Sequence, residues 1–219
     1  MTDVIAIDGP SGSGKSSTSR GVAAKLGYTY LDTGAMYRAM TWALLQRGVD
    51  VHDPRAVAAA ASEVVLTSGT DPQAPTIAAD GVDVSGPIRG DEVTAAVSPV
   101  ATVAQVREQL VALQREAIAA AEGGIVVEGR DIGTVVVPDA PVKIYLVADP
   151  VARARRRAAE LGVEDDEAMR EALARRDAID SNRAASPLTQ ASDAIVVDGT
   201  DLTLEQVIDH IVDLARSRG

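Results

Sequence analysis

The sequence predicts an α/β domain: a central parallel sheet with helices on both faces and one small antiparallel insert. Three observations predict it. Short, continuous, β-branched runs at 4–8, 125–127, 142–147 and 194–197 alternate with helical patterns, as in parallel sheets buried on both faces. The first run is followed at once by a glycine-rich loop and then a helix. Between residues 50 and 100 the alternation gives way to turn-rich sequence around a hairpin signal.

The elements follow in order. Residues 4–8 (Val-Ile-Ala-Ile-Asp) stop at Gly9 and read as a buried strand. Residues 16–26 read as a helix ended by Gly27. Residues 34–46 read as a second helix, with Met36, Met40, Ala43 and Leu44 at helical spacing and Gly48 beyond. Residues 56–61 form a short Ala-rich helix, and 63–68 have strand character. The runs 76–79 and 82–85 flank Asp80-Gly81, a two-residue hairpin signature. A single long helix is expected over 101–121, from Val103, Val106, Leu110, Leu113 and Ala117, with Gly123-Gly124 ending it. Strands at 125–127 and 142–147 come next. Two charged helices, 150–160 and 165–177, are broken at Gly162. A last strand at 194–197 precedes an amphipathic helix marked by Leu204, Val207, Ile208, Ile211 and Val212.

Composition narrows the function. A chain of 219 residues suits one domain with insertions, or two small ones. No run of 18 apolar residues exists, so no membrane span is expected. Met1-Thr2-Asp3 begins no secretory signal pattern, and the expected location is the cytoplasm. Zero Cys removes disulfides and Cys-ligated metals. His52 and His210 are too far apart in sequence to suggest a zinc site. A net charge of −11 with 2% aromatics argues against nucleic-acid binding. The basic residues divide into 18 Arg and only 3 Lys, and Arg is the side chain for forked grip on phosphate or carboxylate.

Gly9-Pro10-Ser11-Gly12-Ser13-Gly14-Lys15-Ser16 fits the P-loop pattern at every fixed position, between a buried strand and a helix. Its backbone N–H groups, with Ser17 next in line, are expected to cradle the phosphates of ATP, aided by the helix N-terminus. Lys15 is placed to reach the β- and γ-phosphates and Ser16 to ligate Mg²⁺. None of the three lysines follows Asn, so the guanine signature N-K-x-D is absent.

Four further blocks carry phosphate and base chemistry. They are LDTGAMYRA at 31–39, Ser98 with Arg107, VEGRDIGTVVVPDA at 127–140, and RRDAIDSNRAASPL at 175–188. With the P-loop block IDGPSGSGKS, the chain resembles the bacterial cytidylate kinases over residues 5–194. The resemblance implies a P-loop kinase fold and transfer of the γ-phosphoryl group of ATP to CMP or dCMP, with Mg²⁺. It implies a single core domain over 1–219, an enlarged monophosphate-binding insert at 38–100, an Arg-rich lid at 153–175, and a monomer.

Roles follow on matched positions. Arg38, Arg130 and Arg176 are expected to clamp the acceptor phosphate, with Thr33 donating a hydroxyl hydrogen bond. Asp131 suits cytosine N4, with Arg107 donating to N3 or O2 and Ser98 completing the set. The alternative reading of Asp131 is a helix N-cap or a structural ion pair with Arg130. Asp180 and Arg183 match the family's ribose contacts, or form an i,i+3 surface pair. Among Arg153, Arg155, Arg156 and Arg157, Arg153 and Arg157 are the first candidates to meet the moving phosphoryl group. The cluster has a second reading as a solvated helix paired with Glu160, Glu164, Asp165 and Asp166. Asp8 and Glu128, at strand ends near the P-loop, are each open as an acidic partner of Mg²⁺ or as structural acceptors. Two other classes fit the P-loop alone: a kinase of another small molecule, or a non-catalytic nucleotide-binding regulator.

Overall fold

The computed structural model describes residues 3–162, 167–183 and 186–218. Its centre is a five-stranded parallel sheet in the order β2-β6-β1-β7-β8. The strands are β1 (Asp3–Asp8), β2 (Thr29–Asp32), β6 (Gly124–Gly129), β7 (Val142–Val147) and β8 (Ile195–Asp198). Side chains alternate across a strand, so each apolar run feeds two cores. Val4, Ala6, Leu31, Ile125 and Val127 enter one. Ile5, Ile7, Tyr30, Val126, Val142, Ile144 and Leu146 enter the other. The second core is covered by α1 (Lys15–Leu26) and α8 (Leu204–Arg218). The first is covered by α2 (Thr33–Gln46), α3 (Pro54–Ala61), α4 (Asp91–Ala101) and α5 (Ala104–Ala119).

The inserted sheet is present as three antiparallel strands, β3 (Leu66–Ser68), β4 (Ile77–Ala79) and β5 (Val82–Asp83). Asp80 (φ 52) and Gly81 (φ 79) both take the left-handed region that a tight hairpin turn demands. Ile77, Ala79, Val84 and Ile88 share the first core with α2, so the insert is welded to the sheet domain.

The structure departs from the expected elements at three places. The helix expected over 101–121 is α5 alone, and the stretch before it is a separate helix, α4. Pro99 lies inside α4 near its end and has no N–H for the ladder. The chain turns at Thr102 and restarts at Ala104. β2 was not expected at all. A five-residue π-turn, Ile132–Val136, follows β6 and was not expected either.

β6 lies between β2 and β1, with Asp32 opposite Glu128 and Asp8 opposite Gly129. The carboxyl ends of these three strands therefore open side by side, at the point where α/β sheets bind ligands. The charged pair α6 (Pro150–Leu161) and α7 (Glu167–Asn182) lies over the same end. Gly162 ends α6 in the left-handed region, as its position between the two charged runs predicts.

Candidate active site

The P-loop wraps the start of α1, with Gly12 (φ 73) and Gly14 (φ 89) in left-handed conformation. A Cβ on Gly9 would stand 2.1 Å from the Leu146 carbonyl oxygen, so only glycine lets the loop leave β1 beside β7. Lys15 is buried and donates to the Pro10 carbonyl at 2.7 Å. Burial, then the neighbouring Arg130, pushes its ammonium below the usual lysine range. Glu128 is pushed up, first by burial and then by Asp32. Its carboxylate accepts from the hydroxyls of Tyr30 and Ser16.

A cleft of about 1040 Å³, its open mouth included, runs from this loop to residues of α4 and α7. Of the expected site residues, Ser11, Gly12, Gly14, Lys15, Ser16, Thr33, Arg38, Ser98, Arg130, Asp131, Arg157, Arg176, Asp180 and Arg183 line it. Gly9, Pro10, Ser13 and Ser17 shape the loop from outside the cleft surface. Arg107 stands behind the wall, 3% exposed.

At the far end the charges are paired. Asp131 accepts from Arg107 and lies 3.5 Å from Arg183. The Arg107 guanidinium sits 5.3 Å from the centre of the Tyr37 ring and also donates to the Ala101 carbonyl. Asp131 makes no capping bond and does not pair with Arg130, so neither alternative reading of it holds. Arg183 and Asp180 do form an i,i+3 pair, at 3.8 Å, but both side chains are buried.

Between the two ends lie the arginines. Arg130 bridges them: Nε donates to Asp180 at 2.9 Å, and its terminal nitrogens reach the Gly9 carbonyl (2.7 Å) and Ser11 Oγ (2.6 Å). Arg38 donates to the Ile88 carbonyl and Thr94 Oγ1. Burial and the like charge of Arg176 push Arg38 down to about 9. Arg176 is pushed down to about 10 by burial and Arg130. Both remain charged at neutral pH, so the cleft concentrates positive charge in a dehydrated place. Thr33 was expected to donate into the cleft. Its hydroxyl hydrogen goes instead to the Glu128 carbonyl at 2.7 Å, leaving only oxygen lone pairs for other donors.

The lid arginines divide by face. Arg153 pairs with Asp177 and donates to the Ser11 carbonyl at 3.0 Å, outside the cleft. Arg156 donates to the carbonyls of Ser13 and Gly199. Arg157 faces the cleft. Of the acidic partners weighed for these arginines, Glu164, Asp165, Asp166 and the side chain of Glu160 lie outside the described residues. Sequence reasoning missed Arg89, Asp32 and Tyr37 as cleft residues. Arg89 reaches from the insert to Asp32 at 3.2 Å. Its signal was the Arg surplus falling inside a Gly-bounded turn.

Asp8 and Glu128 also separate. Both Asp8 oxygens are taken by backbone amides, those of Ile132 and Gly133, each at 2.8 Å. Glu128 lines the cleft beside Lys15 and Ser16.

A P-loop at one end, a buried acid–arginine cluster at the other and arginines between them define a P-loop phosphotransferase with a separate acceptor site. A gluconokinase from Sinorhizobium meliloti 1021 has the same fold, with TM-score 0.51 at 15% identity over 99% of this chain and 93% of that one. The chain belongs to the cytidylate kinase family, whose profile matches residues 5–217. It is 60% identical to the cytidylate kinase of Streptomyces griseus subsp. griseus over 98% of this chain and 93% of that protein. It is 54% identical to that of Mycolicibacterium paratuberculosis over 98% and 96% of the two chains.

Proposed function

We propose that the protein transfers the γ-phosphoryl group of ATP to CMP or dCMP, giving ADP and CDP or dCDP. The observation that carries this reading is the Ser98, Arg107, Asp131 cluster at the closed end of a cleft whose open end is the P-loop. Asp131 accepts from cytosine N4, where uracil would present an acceptor to a carboxylate. Arg107 holds Asp131 from behind and Ser98 faces the base. Asp180 and Arg183 meet the ribose.

Arg38, Arg130 and Arg176 clamp the acceptor phosphate. A phosphate oxygen of the acceptor attacks the γ-phosphorus in line, its bond to the β–γ bridging oxygen breaks, and ADP leaves. A phosphate monoester dianion is already a nucleophile, so no general base is needed. Positioning and charge neutralisation supply the rate. Lys15 and Arg157 act from the ATP side and Arg130 from between the sites, while Arg153 holds the lid against the P-loop. Hard oxygen donors suit Mg²⁺, and Ser16 with the adjoining Glu128 is the pair that fits it; Asp8 does not. Held there, Mg²⁺ would supply screening of the triphosphate charge.

Residues 38–100 then act as the monophosphate-binding region and 153–175 as the lid. The enzyme in this reading is a monomer. No helix among the described residues is long and apolar enough to cross a membrane, in keeping with a cytoplasmic enzyme. Coupled ADP release with ATP, Mg²⁺ and each of CMP, dCMP, UMP, AMP and GMP tests the reading. CMP and dCMP are expected to be the best acceptors, and a better rate with any other monophosphate sinks it.

A further inference from the structure

Asp8 is a buried carboxylate that no step above uses. It ends β1 immediately before the P-loop, and its residue is 5% exposed. Its oxygens accept the N–H groups of Ile132 and Gly133, the first two residues of the π-turn. The residue before that turn is Asp131, and a side chain there would ordinarily cap such amides itself. Here a different strand caps them, and Asp131's carboxylate is left to face Arg107 and Arg183. Lys143 packs on the turn as well: its Cδ and Cγ stand 3.2 and 3.4 Å from where a Gly133 Cβ would be, and its ammonium binds Asp193 and the Pro138 carbonyl. Burial outweighs the two amides and pushes Asp8 up to about 6, so the ionised group costs stability where it sits.

We propose that Asp8 is a positioning residue for acceptor specificity. By capping the π-turn from β1 it frees Asp131 from capping and aims it at the base, and it ties the base-reading turn to the strand that launches the P-loop. The inference rests on the CMP kinase reading for what Asp131 recognises.

Asp8→Asn is nearly isosteric but turns an NH₂ group toward one of the two amides. The expected result is a KM for CMP raised about tenfold, and a CMP-over-UMP preference in kcat/KM lowered by about the same factor. The KM for ATP and the half-saturating Mg²⁺ concentration are expected to stay within about twofold. A raised Mg²⁺ requirement with intact selectivity overturns the proposal and assigns Asp8 to the metal. A fall in kcat with unchanged KM values and selectivity also overturns it, as the mark of a merely structural group. If the variant does not fold, Asp8→Ser, which keeps one acceptor, takes the same kinetic tests. NMR of the wild type needs no variant. The Ile132 and Gly133 amide protons are expected to shift together with the Asp8 carboxyl carbon on titration, and independent titration overturns the cap. A wild type that does not prefer CMP sinks the cytosine reading itself. A selective wild type with an equally selective Asp8→Asn sinks only this inference.

Discussion

The groups facing phosphate at the P-loop end of the cleft are backbone amides and one lysine, supplied by eight consecutive residues. The groups at the cytosine end are side chains from α2, α4, α5, the turn after β6 and α7. The first end needs only a strand, three glycines and a helix start. The second needs the whole tertiary fold to bring Ser98, Arg107, Asp131, Asp180 and Arg183 together. The two ends also treat charge differently. Among the described residues no carboxylate forms an ion pair with Lys15, which leans on a carbonyl. The far cluster binds its arginines to its own acids: Asp131 to Arg107 and Arg183, Asp180 to Arg130 and Arg183. A loop that meets many nucleotides through one triphosphate needs no side-chain code. An acceptor site that must tell cytosine from uracil needs fixed side chains, and paired charges fix them.

Breaking the P-loop end is expected to have the largest effect. Lys15→Ala removes the cation that reaches the β- and γ-phosphates, and kcat is expected to fall about a thousandfold or more. Burial already disfavours the charged ammonium, so the melting temperature is expected to stay within a few degrees of wild type. Stopped-flow turnover with a thermal melt checks both. Asp131→Asn breaks the other end. It leaves the shape but reverses half of the donor–acceptor pattern, and the CMP-over-UMP ratio of kcat/KM is expected to fall about a hundredfold. An unchanged ratio makes Asp131 a scaffold for Arg107 and Arg183 alone.

The same contrast governs what could be read in the sequence. The P-loop was legible outright, because pattern, strand and helix are contiguous. The acceptor residues were legible only as matched blocks, since nothing local brings residue 38 to residue 176. β2 escaped because four residues between a helix-ending glycine and the next helix start carry no period. α4 escaped because it begins at the edge of the turn-rich insert, and Pro99 sits in its last turn at the cost of a single ladder bond. The π-turn has no sequence signature; its amides are satisfied by an aspartate more than 120 residues away. The division of the lid arginines was half legible. Helical spacing put Arg153 and Arg157 on one face, but docking on the P-loop rotates Arg153 and Arg156 toward carbonyls and leaves Arg157 toward the cleft.

A smaller effect is expected where the lid meets the loop. Asp177 accepts the Ser11 N–H at 2.9 Å and holds Arg153, so an internal anion occupies a donor that ATP would claim. Asp177→Ala is expected to tighten ATP binding about three- to tenfold in the absence of CMP, by removing that competitor. Calorimetric titration measures it. Weaker binding shows that Asp177 serves ATP by holding Arg153 in place.

The smallest effect concerns pH and the strand that joins the two ends. The Asp8 carboxyl is pushed up to about 6 from its ordinary value of 3.8. In the unfolded chain it loses its proton near the ordinary value, and in the fold only near 6. Native stability from this group therefore falls as pH rises between those two values and is level above them. The two-unit gap corresponds to roughly 2–3 kcal/mol, all of it a cost at neutral pH. Asparagine carries no such cost but leaves one amide poorly satisfied, so the absolute stabilities of wild type and Asp8→Asn are expected to be close at pH 7. Their difference is what moves: the melting temperature of Asp8→Asn minus that of wild type is expected to rise by several degrees from pH 4.5 to 7 and then to flatten. Lys15, Asp131 and Tyr145 also act on this carboxyl and are present in both proteins, so they cancel in the difference to first order. A flat difference across that range means that Asp8 titrates as an ordinary surface carboxylate, and that the cap joining β1 to the base-reading turn is loose in solution.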